Sequence, residues 1–198
     1  MAEQDRLLRQ VEFLVEIDKL KGIFRRTWLI DQSRLENDAE HSWHVALLAV
    51  LLLEHAAGGD LDVLRVVKML LIHDLVEIDA GDTYVYDEVG RLDQPQRERE
   101  AADRIFNMLP GDQAVEFRGL WDEFEARATP EARYAAALDR LQPFLHNYFT
   151  QGKAWQEHGV TSDRVLLRTR PIADGAPALW PYVEDLVRDA VEKGYLAK

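Results

Sequence analysis

Residues 70–82 read LLIHDLVEIDAGD, an apolar run that carries a histidine and several acids and ends in a glycine turn onto another acid. On an α-helix each residue advances by about 100° around the axis. Counted from Arg65 as zero, Lys68 falls near roughly 300°, whereas His73, Glu77 and Asp74 fall near roughly 80°, 120° and 180°. If Arg65 and Lys68 mark the solvent face, the His73, Asp74 and Glu77 trio points into the protein. Burying two carboxylates costs several kcal/mol each unless something positive compensates them. No Lys or Arg shares their face, so a divalent cation is the simplest compensation. A hydrogen-bonded core histidine is the competing reading for His73 alone; Asp74 beside it and Glu77 one turn on favour a site.

Helical spacing continues on both sides of this stretch, without a period-two strand or an Asn-Gly hairpin signal. The sequence predicts an all-α fold with a first helix over residues 3–20. A second opens at an Asn37/Glu40 capping box and ends at Gly58-Gly59; a third runs from Asp60 to Gly81. Further helices are expected from Pro95 to Leu109, over 112–126, from Thr129-Pro130 to Gly152, near 161–168 and near 177–193. Residues 23–38, IFRRTWLIDQSRLEND, read as an irregular loop, and 83–94, TYVYDEVGRLDQ, as a polar loop. The second helix is apolar nearly all round, which predicts a central place for it.

At 198 residues and 47% hydrophobic, the chain is sized for a single domain over 1–198 with one filled core. A formal charge of -12 argues against a nucleic-acid polymer or an anionic membrane surface as partner. An anionic small molecule would need a metal or a few local arginines to overcome this field. There is no cysteine, so a metal must be held by His, Asp or Glu. No segment reaches the roughly 18 apolar residues of a membrane span, and the charged N-terminus lacks a signal-type apolar core. A cytoplasmic protein is expected.

A metal at His73-Asp74 needs ligands from other helices. His41 lies where the polar first turn of the second helix gives way to its apolar body; His44, one turn on, is a rival ligand or a core or dimer-contact residue. Asp139 lies in EARYAAALDRLQPFLHNY, residues 131–148, beside the small Ala135 and Ala136, with Gln142 and His146 on its side. Pro143 removes the hydrogen bond that would return to the Asp139 carbonyl, so a local kink is expected. Simple pairing of Asp139 with Arg140 or Arg133 is the competing reading.

His41, then His73-Asp74, then Asp139, each on its own helix, resembles the HD superfamily of metal-dependent phosphohydrolases. The flanking text ENDAEHSWHVALLA (36–49) and HDLVEIDAGD (73–82) is similar to its branch of bacterial 5'-deoxynucleotidases and their eukaryotic relatives. The resemblance covers about residues 10–150, and a C-terminal helical extension of about 160–198 adds little to it. It implies an HD-type helical bundle and a homodimer, with one divalent ion held by His41, His73, Asp74 and Asp139. Glu77 and Asp82 would position or deprotonate water and assist the leaving group. Arg26 and Trp28, in FRRTWL, would contact the substrate, with Arg25 the alternative to Arg26. Two imidazoles and two carboxylates suit Mn²⁺, Co²⁺, Fe²⁺ or Zn²⁺ better than Mg²⁺. The implied reaction removes phosphate from nucleoside 5'-monophosphates, 2'-deoxynucleotides foremost. Hydrolysis of another phosphorylated nucleotide, guanosine tetraphosphate or a cyclic nucleotide, and a non-catalytic helical binding protein remain as alternatives.

Overall fold

Pro130 to Phe149 form the longest helix, and the other elements are arranged around it. A computed structural model describes residues 2–84, 86, 90 and 92–198. In chain order its elements begin with α1 (Ala2–Ile17), the strands β1 (Phe24–Trp28) and β2 (Leu35–Asn37), then α2 (Asp38–Leu51) and α3 (Val63–Ile72). The short α4 (Glu77–Ala80) follows, then α5 (Gln94–Phe106), α6 (Gly111–Ala126) and α7 (Pro130–Phe149). The chain continues through α8 (Lys153–Glu157), α9 (Ser162–Thr169), α10 (Pro171–Gly175) and α11 (Trp180–Glu192). The fold is all-α apart from the two-stranded ribbon. No helix among the described residues is long and apolar enough to cross a membrane.

Helix α7 starts where the sequence indicates: the Thr129 hydroxyl accepts from the Ala132 amide at 3.2 Å and Pro130 occupies the first turn. Its buried face is rich in alanine (Ala132, Ala135, Ala136 and Ala137), so neighbours approach closely. A Cβ on Gly175 would overlap the Arg133 carbonyl, which is why α10 can lie directly against α7 only with glycine there. Helices α2, α3, α6 and α9 pack on the other sides of α7. At the far end of the sequence the Ser162 amide donates to the Ala197 carbonyl at 2.8 Å, and Thr161 pairs with Ala197 in a parallel bridge, so the last residues are joined to the start of α9.

Four expectations are corrected. Residues 24–37 are not an irregular loop but an antiparallel ribbon, with Phe24 opposite Asn37 and Trp28 opposite Leu35. Its turn is made by Asp31, whose carboxylate accepts from the Ser33 amide at 2.9 Å, and by Gln32 in the left-handed region at φ 61°. Helix α2 opens on the predicted Asn37/Glu40 capping box but stops at Leu51, short of Gly58. Nor is it covered all round, since Trp43, Leu47, Val50 and Leu51 face outward. The third helix is not continuous: α3 ends at Ile72, and His73–Val76 form a 3₁₀ turn that leads into α4. Part of the polar loop expected over 83–94 lies outside the described residues.

Candidate metal centre

The 3₁₀ turn tightens the chain just where the His-Asp doublet sits, so His73, Asp74 and Glu77 are all buried although a uniform helix would spread them over about 100°. Arg65 and Lys68 stand on the opposite, exposed side and pair with Glu123 and Glu116. From α2 comes His41, completely buried, and from α7 comes Asp139. His41 Nε2 lies 3.0 Å from Asp139 Oδ1 and 3.8 Å from Asp74 Oδ2. His73 Nε2 lies 3.1 Å from Asp74 Oδ1 and 3.5 Å from Asp139 Oδ1. The four side chains therefore meet, and ligand atoms of His41, His73 and Asp139 all fall within 4.8 Å of one another. Asp139 also has Arg140 at 3.5 Å, so the pairing expected as its alternative is present alongside the histidines.

The donor set fits a cation. His73 Nδ1 is 2.8 Å from the Leu70 carbonyl, which can only accept, so Nδ1 carries the proton and Nε2 the lone pair. That Nε2 is buried with Asp74 Oδ1 at 3.1 Å and Asp139 Oδ1 at 3.5 Å, and among the described residues neither carboxylate meets it in good hydrogen-bond geometry. A lone pair and two anions aimed at a common point call for a positive charge between them. Burial opposes charge on His73, yet Asp74 and Asp139 lift its pKa to about 9. His41 moves the other way, because burial and the nearby Arg25 both push it down. Burial works to raise Asp139, but Arg140 and the bonds to both histidines hold it well below the usual carboxylate range. Burial and the charge of Asp74 raise Asp38 to about 7 and push Glu77 well up.

Two further residues join the centre, one of them, Asp38, not singled out from sequence. Arg25, which sequence left as an alternative to Arg26, is half-buried, and its Nη1 bonds Asp74 Oδ2 at 2.7 Å and Asp38 Oδ1 at 3.2 Å. Asp38, read only as part of a polar first turn, is fully buried, with ligand atoms that cluster with Asp74 and Glu77. The cleft above the cluster is lined by Arg26, Asp82, Tyr84, Arg127, Asn147 and Arg168, among others. Asp82 stands within the field of Arg25 and Asp74, and burial, the largest influence, raises its pKa. Arg26 is exposed at the cleft and has no ion pair among the described residues. Trp28 does not line the cleft among the described residues; its ring stacks under Lys153 Nζ at 3.2 Å and its indole donates to Glu157 at 3.0 Å. His44 is half-buried and groups with Glu36 and His146, away from the doublet.

A family model described as HD domain matches residues 17–180. The 5'-deoxynucleotidase HDDC2 of Homo sapiens is 29% identical over 136 residues, which are 68% of this chain and 65% of that protein. The same-named protein of Dictyostelium discoideum is 30% identical over 143 residues, 70% of this chain and 75% of its own length. The match thus spans a little less than two thirds of the human relative. The crystal structure of a predicted metal-dependent phosphohydrolase from Magnetospirillum magnetotacticum MS-1 superposes with a TM-score of 0.93 at 54% identity, covering 98% of this chain and 96% of that one. With the family match extending over most of its length, and with a likeness this strong across nearly the whole fold, the chain belongs to the HD domain family.

Proposed function

We propose that this chain is a divalent-metal-dependent phosphohydrolase that removes the 5'-phosphate from nucleoside monophosphates, 2'-deoxynucleotides foremost. The observation that carries the proposal is the buried meeting of His41, His73, Asp74 and Asp139 on the floor of an arginine-lined cleft. Support for the substrate class comes from the relatives named 5'-deoxynucleotidases. The four side chains would hold one ion, with Mn²⁺, Co²⁺, Fe²⁺ or Zn²⁺ preferred over Mg²⁺ for a mixed imidazole and carboxylate set. When bound, such an ion lowers the pKa of water and neutralises charge on a phosphoryl oxygen.

The chain's own groups supply the rest. Glu77, buried one turn from the doublet, orients the attacking water and takes its proton. Asp82, which lines the cleft and whose pKa burial raises, donates a proton to the departing 5'-oxygen. Arg26, which lines the cleft and has no ion pair among the described residues, clamps the phosphate with its planar fork. Arg25 is committed to Asp74 and Asp38 and sets their charge balance. Arg127 and Arg168 add positive charge beyond what one phosphate needs, which favours keeping a more highly charged nucleotide such as guanosine tetraphosphate in the test.

A homodimer in the cytoplasm is part of the proposal. Leu7, Val11, Leu14 and Val15 on α1 and Trp43, Leu47, Val50 and Leu51 on α2 form outward apolar faces of the kind that mark contact surfaces.

The test is phosphate release from stripped protein supplied with each divalent ion in turn. The panel holds deoxy- and ribonucleoside 5'-monophosphates, guanosine tetraphosphate and a cyclic nucleotide. Ion-dependent turnover of the deoxynucleoside monophosphates is expected; no turnover of any compound with any ion would overturn the proposal.

A further inference from the structure

Behind His41, away from the cleft, lies a second polar cluster that the proposed chemistry does not use. Its centre is Gln142, buried on α7 one turn after Asp139. The amide nitrogen of Gln142 is 2.6 Å from Glu36 Oε1, 3.1 Å from His146 Nε2 and 3.3 Å from His44 Nδ1. Its amide oxygen is 2.9 Å from His41 Nδ1.

Which end of this amide faces which way follows from a chain of obligations that starts on β1. The Trp28 carbonyl can only accept, and His146 Nδ1 lies 3.2 Å from it, so that nitrogen carries the proton. His146 is neutral at neutral pH, because burial and the neighbouring His44 push its pKa down to about 4. Its Nε2 is therefore an acceptor, and the Gln142 atom facing it must be the donor, the NH₂. The 2.6 Å contact to Glu36 Oε1 agrees with the same orientation. With the NH₂ so fixed, the Gln142 oxygen faces His41, and His41 Nδ1 must donate to it. The only lone pair left on His41 is then on Nε2, the atom 3.0 Å from Asp139 Oδ1 in the metal cluster.

We propose that Gln142 is a positioning residue for the metal centre: Glu36 and His146 lock its amide in one orientation, and the locked amide holds the proton of His41 on Nδ1. The arrangement settles in advance a choice that His41 would otherwise resolve the other way. A free ring would put its proton on Nε2 and donate it to Asp139, and an incoming cation would have to displace that proton first. Ligating histidines are commonly oriented by an acceptor on the second ring nitrogen. Here the acceptor is a neutral amide whose two N–H groups face Glu36 and His146, rather than a carboxylate, so it fixes the tautomer without adding charge to a cluster already rich in anions.

The inference rests on the reading of His41 as a ligand, and the experiment separates the two. In stripped protein, nitrogen-15 NMR of the histidine rings is expected to show His41 protonated on Nδ1. The variant Q142L is expected to move that proton to Nε2 and to weaken Co²⁺ binding, measured by calorimetry, by about 10–100-fold. The exchange E36Q/Q142E returns an acceptor to His41 and a donor to the new carboxylate, and is expected to restore most of the affinity. A wild-type His41 with its proton on Nε2 overturns the inference without any variant, even if Q142L fails to fold. So does a folded Q142L that binds Co²⁺ as tightly as wild type. Wild-type protein that binds no divalent ion overturns the metal-centre reading instead.

Discussion

Replacing Arg25 by methionine tests how the centre is held together. The guanidinium is only 12% exposed and bonds two carboxylates, Asp74 at 2.7 Å and Asp38 at 3.2 Å. At an effective dielectric constant of about 20, unit charges 4 Å apart attract by about 4 kcal/mol. Removing one partner of a buried ion pair costs about 3–5 kcal/mol, because the remaining charge is left without compensation. For a chain of this size each kcal/mol corresponds to about 2–4 °C in Tm, so R25M is expected to melt about 6–20 °C lower when stripped of metal. The measurement belongs at pH 8 or above, because Asp38, raised to about 7 by burial and Asp74 even with Arg25 lowering it, rises further without Arg25, and a proton taken up there blunts the loss. A divalent ion then becomes the main compensating charge, so added Co²⁺ should raise the Tm of R25M by more than it raises that of wild type, and its Kd should fall. Differential scanning calorimetry with and without Co²⁺ reads both effects. A stripped R25M that melts within about 2 °C of wild type and binds Co²⁺ no more tightly refutes the charge-balance argument. Combined with a lowered kcat/KM, that result would assign Arg25 to the phosphate instead.

Three further outcomes are expected. E77Q keeps its Co²⁺ affinity within roughly tenfold but lowers kcat by about 10²–10⁴-fold, as loss of a proton acceptor does; unchanged kcat would remove Glu77 from the chemistry. Glu36 has its pKa raised by burial from the ordinary 4.5 to about 7, so the folded form holds a proton that the unfolded form has lost. Its stability contribution is complete below pH 4.5 and is lost as pH rises to about 7; E36Q should therefore match wild type at pH 4 and exceed it at pH 8 by up to about 3 kcal/mol, read from urea unfolding of stripped protein. W43E/L47E places charge on the outward face of α2 and should convert a dimer to a monomer in sedimentation; a variant that still sediments as a dimer sinks that interface.

Features set by local chemistry were legible in the sequence. The Asn37 and Thr129 caps, the Pro130 start and the helical spacing around Asp139 each depend on a few adjacent residues, and each helix start falls where predicted. The ribbon escaped notice because its strands have five and three residues, too few to show alternation, and its turn depends on the side chain of Asp31 and the left-handed Gln32. The break at Ile72 was hidden for a different reason. The turn is only four residues long, too short to interrupt the apolar run that continues through it, and it is packed against α5 and α2, which are distant in sequence. At the centre, residue types named the His-Asp doublet and its partners, since buried charge without compensation is visible as a pattern. Gln142 was noted only as a neighbour of Asp139, because a neutral amide leaves no charge to balance. Trp28 was chosen for its ring, whereas it is its carbonyl that reaches the interior, through His146.

The stitching of Ala197 to Thr161 and Ser162 bears on how the protein is handled. Helix α9 carries Arg168 and Thr169 into the cleft, so cropping the final residues, or fusing a purification handle to them, loosens the element that supplies part of the lining. A polyhistidine tail placed there would also present imidazoles that compete with the proposed four-residue centre for the added ion. Assays on metal-loaded material are cleaner with a cleavable handle, or one of different chemistry.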